Sequence, residues 1–273
     1  MQATYTGQPR LKPLAVKTLD RAAALWFLVA VAGQTMFAFY VSSFYGRAAV
    51  RGDFAGWNQV MAHAYVAGEP LGNLAAASHL VLAVLITVGG ALQLIPQIRQ
   101  RIPIFHRWNG RIYVLSAFVI SLLGLFMMWT RGTVGDFWQH LGTSFNAIVI
   151  MVCAVFAWRT ARAGQFGRHR RWALRLFLSV SGVWFFRIGL MFWLAVNQGP
   201  VGFDIKTFTG PFLTFLSFAQ YLLPLAILEI YLHTQDHAAA AGRLAMAAGL
   251  FALTLAMGMG IAVATMGMWL PHL

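Results

Sequence analysis

The chain has 273 residues, 59% hydrophobic and only 10% charged; a soluble domain carries about a quarter charged residues, so an ordinary soluble enzyme is excluded and an integral membrane protein is implied. The balance of 20 Lys and Arg against 7 Asp and Glu gives a formal net charge of +13, which in a soluble chain would point to nucleic acid but here has to be read by position. The single cysteine, Cys153, excludes an internal disulfide framework and any multi-cysteine iron–sulfur cluster.

A spanning helix needs about 20 mostly apolar residues, and seven stretches meet that length. The first, 21–43, follows a basic leader holding Arg10, Lys12 and Lys17. It is too long for a signal-peptide core and has no persuasive cleavage site, so it reads as a retained helix. In the long loop that follows, 44–73, Phe54, Trp57, Met61 and Ala64 recur at helical spacing, which predicts a short helix lying at the membrane interface. The second span, 74–96, carries His79 near its start. The third, 110–130, is preceded by Pro103, which suits a first helical turn and places His106 close to the helix start. The fourth, 139–161, begins at a candidate cap, Asp136, with His140 four residues on. The fifth, 172–196, has His169 just ahead of it and Arg187 inside it. The sixth covers 211–232 and the seventh 244–270, where Ala256, Gly260 and Ala264 form a small-residue stripe suited to helix packing. The other loops are short, so consecutive helices run antiparallel. The expected fold is an all-α, polytopic membrane bundle of about seven spans: one membrane domain over 1–273, with a four-helix, histidine-bearing core over 74–196.

Position then explains the charge. With the N-terminus placed in the cytoplasm, fifteen of the 20 cations fall on inner segments: Arg10, Lys12, Lys17 and Arg21; Arg99, Arg101, Arg107 and Arg111; Arg159, Arg162, Arg168, Arg170, Arg171 and Arg175; and Arg243. Arg47, Arg51, Arg131 and Lys206 fall outside. Excess Lys and Arg mark the cytoplasmic side, so the expectation is a multi-pass protein of a bacterial-type inner membrane with its N-terminus inside and its C-terminus outside. Its partner is the lipid bilayer and not nucleic acid; a homo-oligomer is compatible with this.

Four histidines sort by depth. His79 lies about 8 Å and His140 about 6 Å below the outer edge, counting 1.5 Å per residue. His106 and His169 both stand at inner helix starts, roughly 20 Å away. His79 and His106 are 27 residues apart, His140 and His169 are 29 apart, and the two pairs form a faint internal repeat. An imidazole within a bilayer is costly without a partner, and two facing imidazoles have a natural shared partner in a metal or a haem iron. The alternative for each is ordinary: His79 and His140 hydrogen-bonded between helices, His106 and His169 part of a basic interfacial helix start. Gly89, Gly90 and Gly124 offer space for a flat ring. Arg107, Arg111, Arg170, Arg171 and Arg175 stand where inner propionates would emerge, since guanidinium suits carboxylate geometrically. Arg187, about 14 Å below the outer edge, is a candidate partner for an outer propionate.

The motifs "HRWNGRIYV" (His106 to Val114) and "HRRWALR" (His169 to Arg175), with Arg187 downstream, resemble those of a family of uncharacterised bacterial predicted membrane proteins. The placement of one histidine on each of four consecutive helices is similar to the two-haem transmembrane cytochromes b of the ascorbate-reducible type, in which alternate helices share a haem. That resemblance implies two haems b, with His79/His140 and His106/His169 as iron ligands. The chain departs from that type in having seven spans rather than six and no recognisable ascorbate-binding segment, so electron donor and acceptor stay unassigned.

The functional expectation is therefore a haem-binding transmembrane electron carrier, an oxidoreductase in the broad sense. The alternative is a small-molecule or ion transporter, or a membrane scaffold, without haem. The middles of the second to fourth spans ("LVLAVLI", "VLSAFVI", "AIVIMVC") offer few polar groups for an aqueous path. His233 and His237, four apart, lack a visible third metal ligand. His63 and His272 read as surface residues. No metalloprotease, phosphate-loop or nucleophile-elbow motif is present.

Overall fold

The computed structural model describes residues 11–273; Arg10 and the side chain of Lys12 lie outside the described residues. Among these residues there is no strand, only one antiparallel bridge between Asp204 and Thr209. Nine helices follow in order: α1 (Leu11–Val50), α2 (Pro70–Leu94), α3 (Pro96–Arg101), α4 (Pro103–Arg131), α5 (Phe137–Arg162), α6 (Phe166–Val180), α7 (Gly182–Asn197), α8 (Pro211–His237) and α9 (Ala240–Ala264). Six of them are long and apolar enough to cross a membrane, and the total is seven when α6 and α7, bent by 53° at their junction, are counted together as one span. The protein is thus a polytopic all-α membrane bundle. At 1.5 Å per residue α1 is about 60 Å long, twice the roughly 30 Å hydrocarbon core, so its ends stand clear of the lipid.

Local chemistry explains the starts. Proline occupies the first turn of α2, α3, α4 and α8, where its missing N–H costs nothing. Asp136 caps α5, its Oδ1 accepting from the Gln139 N–H at 2.9 Å, as the sequence predicts.

Two expectations change. The fifth span is not one helix: it begins at Phe166 and breaks at Ser181 with a bend of 53°. No proline is involved. The Ser179 and Ser181 hydroxyls donate back to the carbonyls of Arg175 and Phe177, Gly182 follows, and such Ser/Gly positions kink helices. The Ser179 carbonyl accepts from Asn146 Nδ2 of α5 at 3.2 Å. Gln34 of α1 donates to Ser181 Oγ at 2.9 Å. The predicted interfacial helix is instead a 3₁₀ turn, Phe54–Gln59, capped by Asp53. Its Trp57 is buried and donates to the Tyr45 carbonyl at 3.1 Å, and Ala64 is buried too. The loop folds inward over the helix ends, because the indole N–H finds a backbone partner there that lipid would not supply. Arg131, at the end of α4 and only 4% exposed, straps this loop down. It pairs with Glu69 (3.3 Å) and donates to Asn73 Oδ1 (2.8 Å) and the Ala64 carbonyl (3.3 Å).

Helices α2, α4, α5 and α6 meet in one apolar core through Ile86, Ala117, Ile120, Ile150, Cys153, Ala157 and Leu176. Helices α1, α7 and α9 meet in a second, around Trp184, Ile188, Met257 and Ile261. The small stripe of α9 works as expected. Gly260 lies so close to the Ile188 carbonyl of α7 that a Cβ would collide with it. Substituting Gly260 with Ala should therefore pry α9 from α7 and lower stability by about 1–3 kcal/mol, read as a shift in the midpoint of unfolding in mixed micelles.

Candidate functional site

Antiparallel connection brings the C-terminal ends of α2 and α5 to the N-terminal ends of α4 and α6, and with them most of the arginines. His106 and His169 make the first intrahelical N–H bonds of their helices, to Ile102 and Gln165. Both imidazoles line one crevice of about 1990 Å³, together with Arg107, Arg111 and Arg170 and the small residues Gly110, Ala157 and Ala161. His169 Nδ1 lies 3.0 Å from the Ala157 carbonyl. A carbonyl only accepts, so Nδ1 carries a proton and, in the neutral ring, Nε2 holds the lone pair. His106 Nδ1 is buried with no hydrogen-bond partner, while Gln93 of α2 clamps the helix start by donating to the His106 carbonyl at 3.0 Å.

The arginines divide. Arg107 and Arg111 line the crevice, and Arg111 also stacks over Trp108 at 4.7 Å. Arg171 and Arg175 do not line it. They are engaged by α8: Arg171 with Asp236 at 2.5 Å, and Arg175 with both oxygens of Glu229 at 2.7 and 2.8 Å.

At the opposite end a second cavity of about 190 Å³ holds His79 and Arg187 together. Gly124 seats the histidine: a Cβ there would stand 3.4 Å from His79 Cε1. His140 is not among the residues lining this cavity. Its Nε2 bonds Thr133 Oγ1 at 3.0 Å and its ring packs edge-on against Trp129. The structure thus brings His106 and His169 onto one crevice and does not bring His79 and His140 onto one cavity. Gly89 and Gly90 are occupied by close packing, Gly89 under Asn109 and Gly90 under Tyr113 and Phe177. Tyr113 and Phe177 line both cavities and form the partition between them. His233 and His237 stack with ring centroids 4.7 Å apart; among the described residues no three His, Cys, Asp or Glu side chains converge as an ordinary metal-ion site requires.

The sequence reading passed over the polar wall of the second cavity. Gln34, Tyr40, Asn146, Ser181 and Trp184 line it, supplied largely by α1, α5 and the α6–α7 junction, not by the helix middles inspected for a polar path. The available signal was two lone amides, Gln34 and Asn146, inside otherwise apolar runs.

The fold defines the class: a multi-pass α-helical membrane protein. Residues 76–206 match a family model described as a predicted membrane protein (DUF2306), a stretch that holds His79, His106, His140, His169 and Arg187. No curated protein matches the chain, and no solved structure does.

The division among the arginines can be measured. Arg175→Gln should lower stability by about 0.5–1 kcal/mol through loss of its two-pronged ion pair, and Arg171→Gln, whose partner Asp236 is solvent-exposed, by less. Arg107→Gln and Arg111→Gln, which have no carboxylate partner among the described residues, should change it less. Parallel unfolding curves of the four variants test this.

Proposed function

We propose that the protein is a transmembrane electron carrier that holds haem b in the basic crevice, where His106 and His169 would be the residues that bind its iron. One observation carries the reading: the two imidazoles line the same crevice, and His169 is held by the Ala157 carbonyl in the tautomer whose Nε2 can bind a metal. A ligand histidine commonly donates its other N–H to a backbone carbonyl in this way. The residues present fit the group. Small side chains at Gly110, Ala157 and Ala161 leave room for a ring, and Arg107, Arg111 and Arg170 supply cations for its carboxylates. When bound, haem with two histidine ligands has no open iron position and suits electron transfer rather than oxygen chemistry. The chain's own part is to orient the imidazoles, to neutralise the carboxylates and to shield the site with apolar walls. In this reading the basic end faces the cytoplasm of a bacterial-type inner membrane.

A second haem between His79 and His140 would require the His140 ring to leave Thr133 and turn toward the cavity that holds His79. The proposal therefore places one haem, at the basic end. A small-molecule transporter without haem is the second reading, favoured by the buried polar wall around Arg187.

The test is an absorption spectrum of the detergent-purified protein, oxidised and dithionite-reduced, with haem quantified as its pyridine complex. Low-spin b-type bands are expected, lost in both His106→Ala and His169→Ala and retained in His140→Ala. Folded protein without haem from precursor-fed cells overturns the reading, as does unchanged haem in both variants. A second haem lost together in His79→Ala and His140→Ala would extend it to the other pair.

A further inference from the structure

The second cavity raises a separate question of charge. Arg187 lies inside a membrane helix and donates only to the Val183 carbonyl of its own helix, at 3.2 Å, with the Phe37 ring 5.4 Å from its guanidinium carbon. The chain has seven acids, and all lie among the described residues. Glu69, Glu229 and Asp236 pair with Arg131, Arg175 and Arg171. Asp53 and Asp136 cap helices, and Asp204 bonds within its own loop. Asp20 lines the basic crevice. None is within ion-pair distance of Arg187. An intramembrane cation favours a counter-charge, and among the described residues no carboxylate supplies one; a single backbone carbonyl is its only hydrogen-bond partner.

The wall around it shows the partner's chemistry. Six side chains lining the cavity hold buried polar atoms with no partner: Gln34 Oε1, Tyr40 OH, His79 Nδ1, Tyr113 OH, Asn146 Oδ1 and Trp184 Nε1. Gln34, Tyr40, Asn146 and Trp184 are each at most 4% exposed. Two amide orientations follow from their bonds. Ser181 donates its hydroxyl proton to the Phe177 carbonyl, so it must accept from Gln34 Nε2, which leaves Gln34 Oε1 free. The Ser179 carbonyl can only accept from Asn146 Nδ2, which leaves Asn146 Oδ1 free. The cavity therefore offers a cation, the indole N–H donor and two fixed acceptors. The rest of its wall is mainly apolar, including Ile86, Ile120 and Ile150, with His79 and the Tyr40 and Tyr113 hydroxyls among it. At about 190 Å³ it exceeds the roughly 10–15 Å³ that one water needs on the same measure.

We propose that this cavity binds a small organic acid bearing a hydroxyl group, with the carboxylate on Arg187 and the hydroxyl donating to the free amide oxygens. The acceptors exclude a bare inorganic anion as the intended occupant, because it has no proton to give them. The carboxylate belongs to a free acid rather than to a haem propionate: His140 is turned away to Thr133, so the cavity presents one imidazole and not a ligand pair. The inference stands apart from the haem reading at the basic end: Arg187, Gln34, Asn146 and Trp184 do not line that crevice.

The experiment uses the full-length protein in lipid nanodiscs and radiolabelled L-lactate, by scintillation proximity. Saturable binding is expected, competed by glycolate and not by glycerol, which has the hydroxyls without the charge. Arg187→Gln should weaken it at least ~10-fold, as loss of a charge-assisted contact does. Trp184→Phe, which removes only the indole N–H, should weaken it several-fold. Thermal unfolding controls for folding: lactate should raise the midpoint of the parent and leave that of Arg187→Gln unmoved. No saturable binding of lactate or glycolate by folded parent protein overturns the proposal. So does binding unchanged in Arg187→Gln, or an Arg187→Gln variant that loses haem while keeping lactate.

Discussion

A helix that breaks inside a bilayer frees carbonyls that lipid cannot satisfy, and the junction at Ser181 meets that demand with side chains from two other helices. Asn146 of α5 takes the Ser179 carbonyl, and Gln34 of α1 takes the Ser181 hydroxyl. Four helices are thereby tied at one level. Below the junction α6 stays with α5 in the first core; above it α7 swings away to pack on α9 and α8. Arg187 enters the second cavity from α7, above the junction, while the larger crevice runs past the junction, lined by Leu174 and Phe177 of α6 and by Phe185 and Phe192 of α7. Without the bend, one straight span would place that guanidinium on a different face.

How much of this was legible follows from the range of each interaction. Proline and aspartate at helix starts, apolar length and the small stripe of α9 are local signals, and the structure reproduces them. The meeting of His106 and His169 on one crevice was also within reach, because both stand in the first turns of neighbouring outward-directed helices. Counting residues gives height along a helix axis and says nothing of direction around it. That is why His79 and His140 share a counted depth while one faces a cavity and the other bonds Thr133. The break at Ser181 carries no proline, and its partner Gln34 is 147 residues away in sequence. Trp57 looked interfacial because its burial depends on the Tyr45 carbonyl, a backbone group that no side-chain pattern announces.

Charge illustrates the same limit. The arginines crowd one end, and a count assigns them all to topology. The structure separates them by what faces them. Arg171 and Arg175 belong to a seam with α8, whose Glu229 and Asp236 lie 54 and 65 residues further on. Arg107, Arg111 and Arg170 face the crevice, and toward the other end Arg187 points into the second cavity without a carboxylate partner among the described residues. Identical residue types thus do three kinds of work: closing a helix seam, rimming a cavity, and holding an interior charge.

The strap made by Arg131 also sets an order in time. The loop it fixes is synthesised well before it, since Ala64, Glu69 and Asn73 leave the ribosome some sixty residues ahead of the arginine that binds them. While the second and third spans are being threaded, the Trp57 contact with Tyr45 can already form, but the contacts of Ala64, Glu69 and Asn73 with Arg131 cannot. The loop can settle only when the end of α4 emerges on the same side of the membrane. Correct insertion of that helix thus fixes the loop, and the chamber around His79 is completed later still, when Asn146 and Arg187 follow.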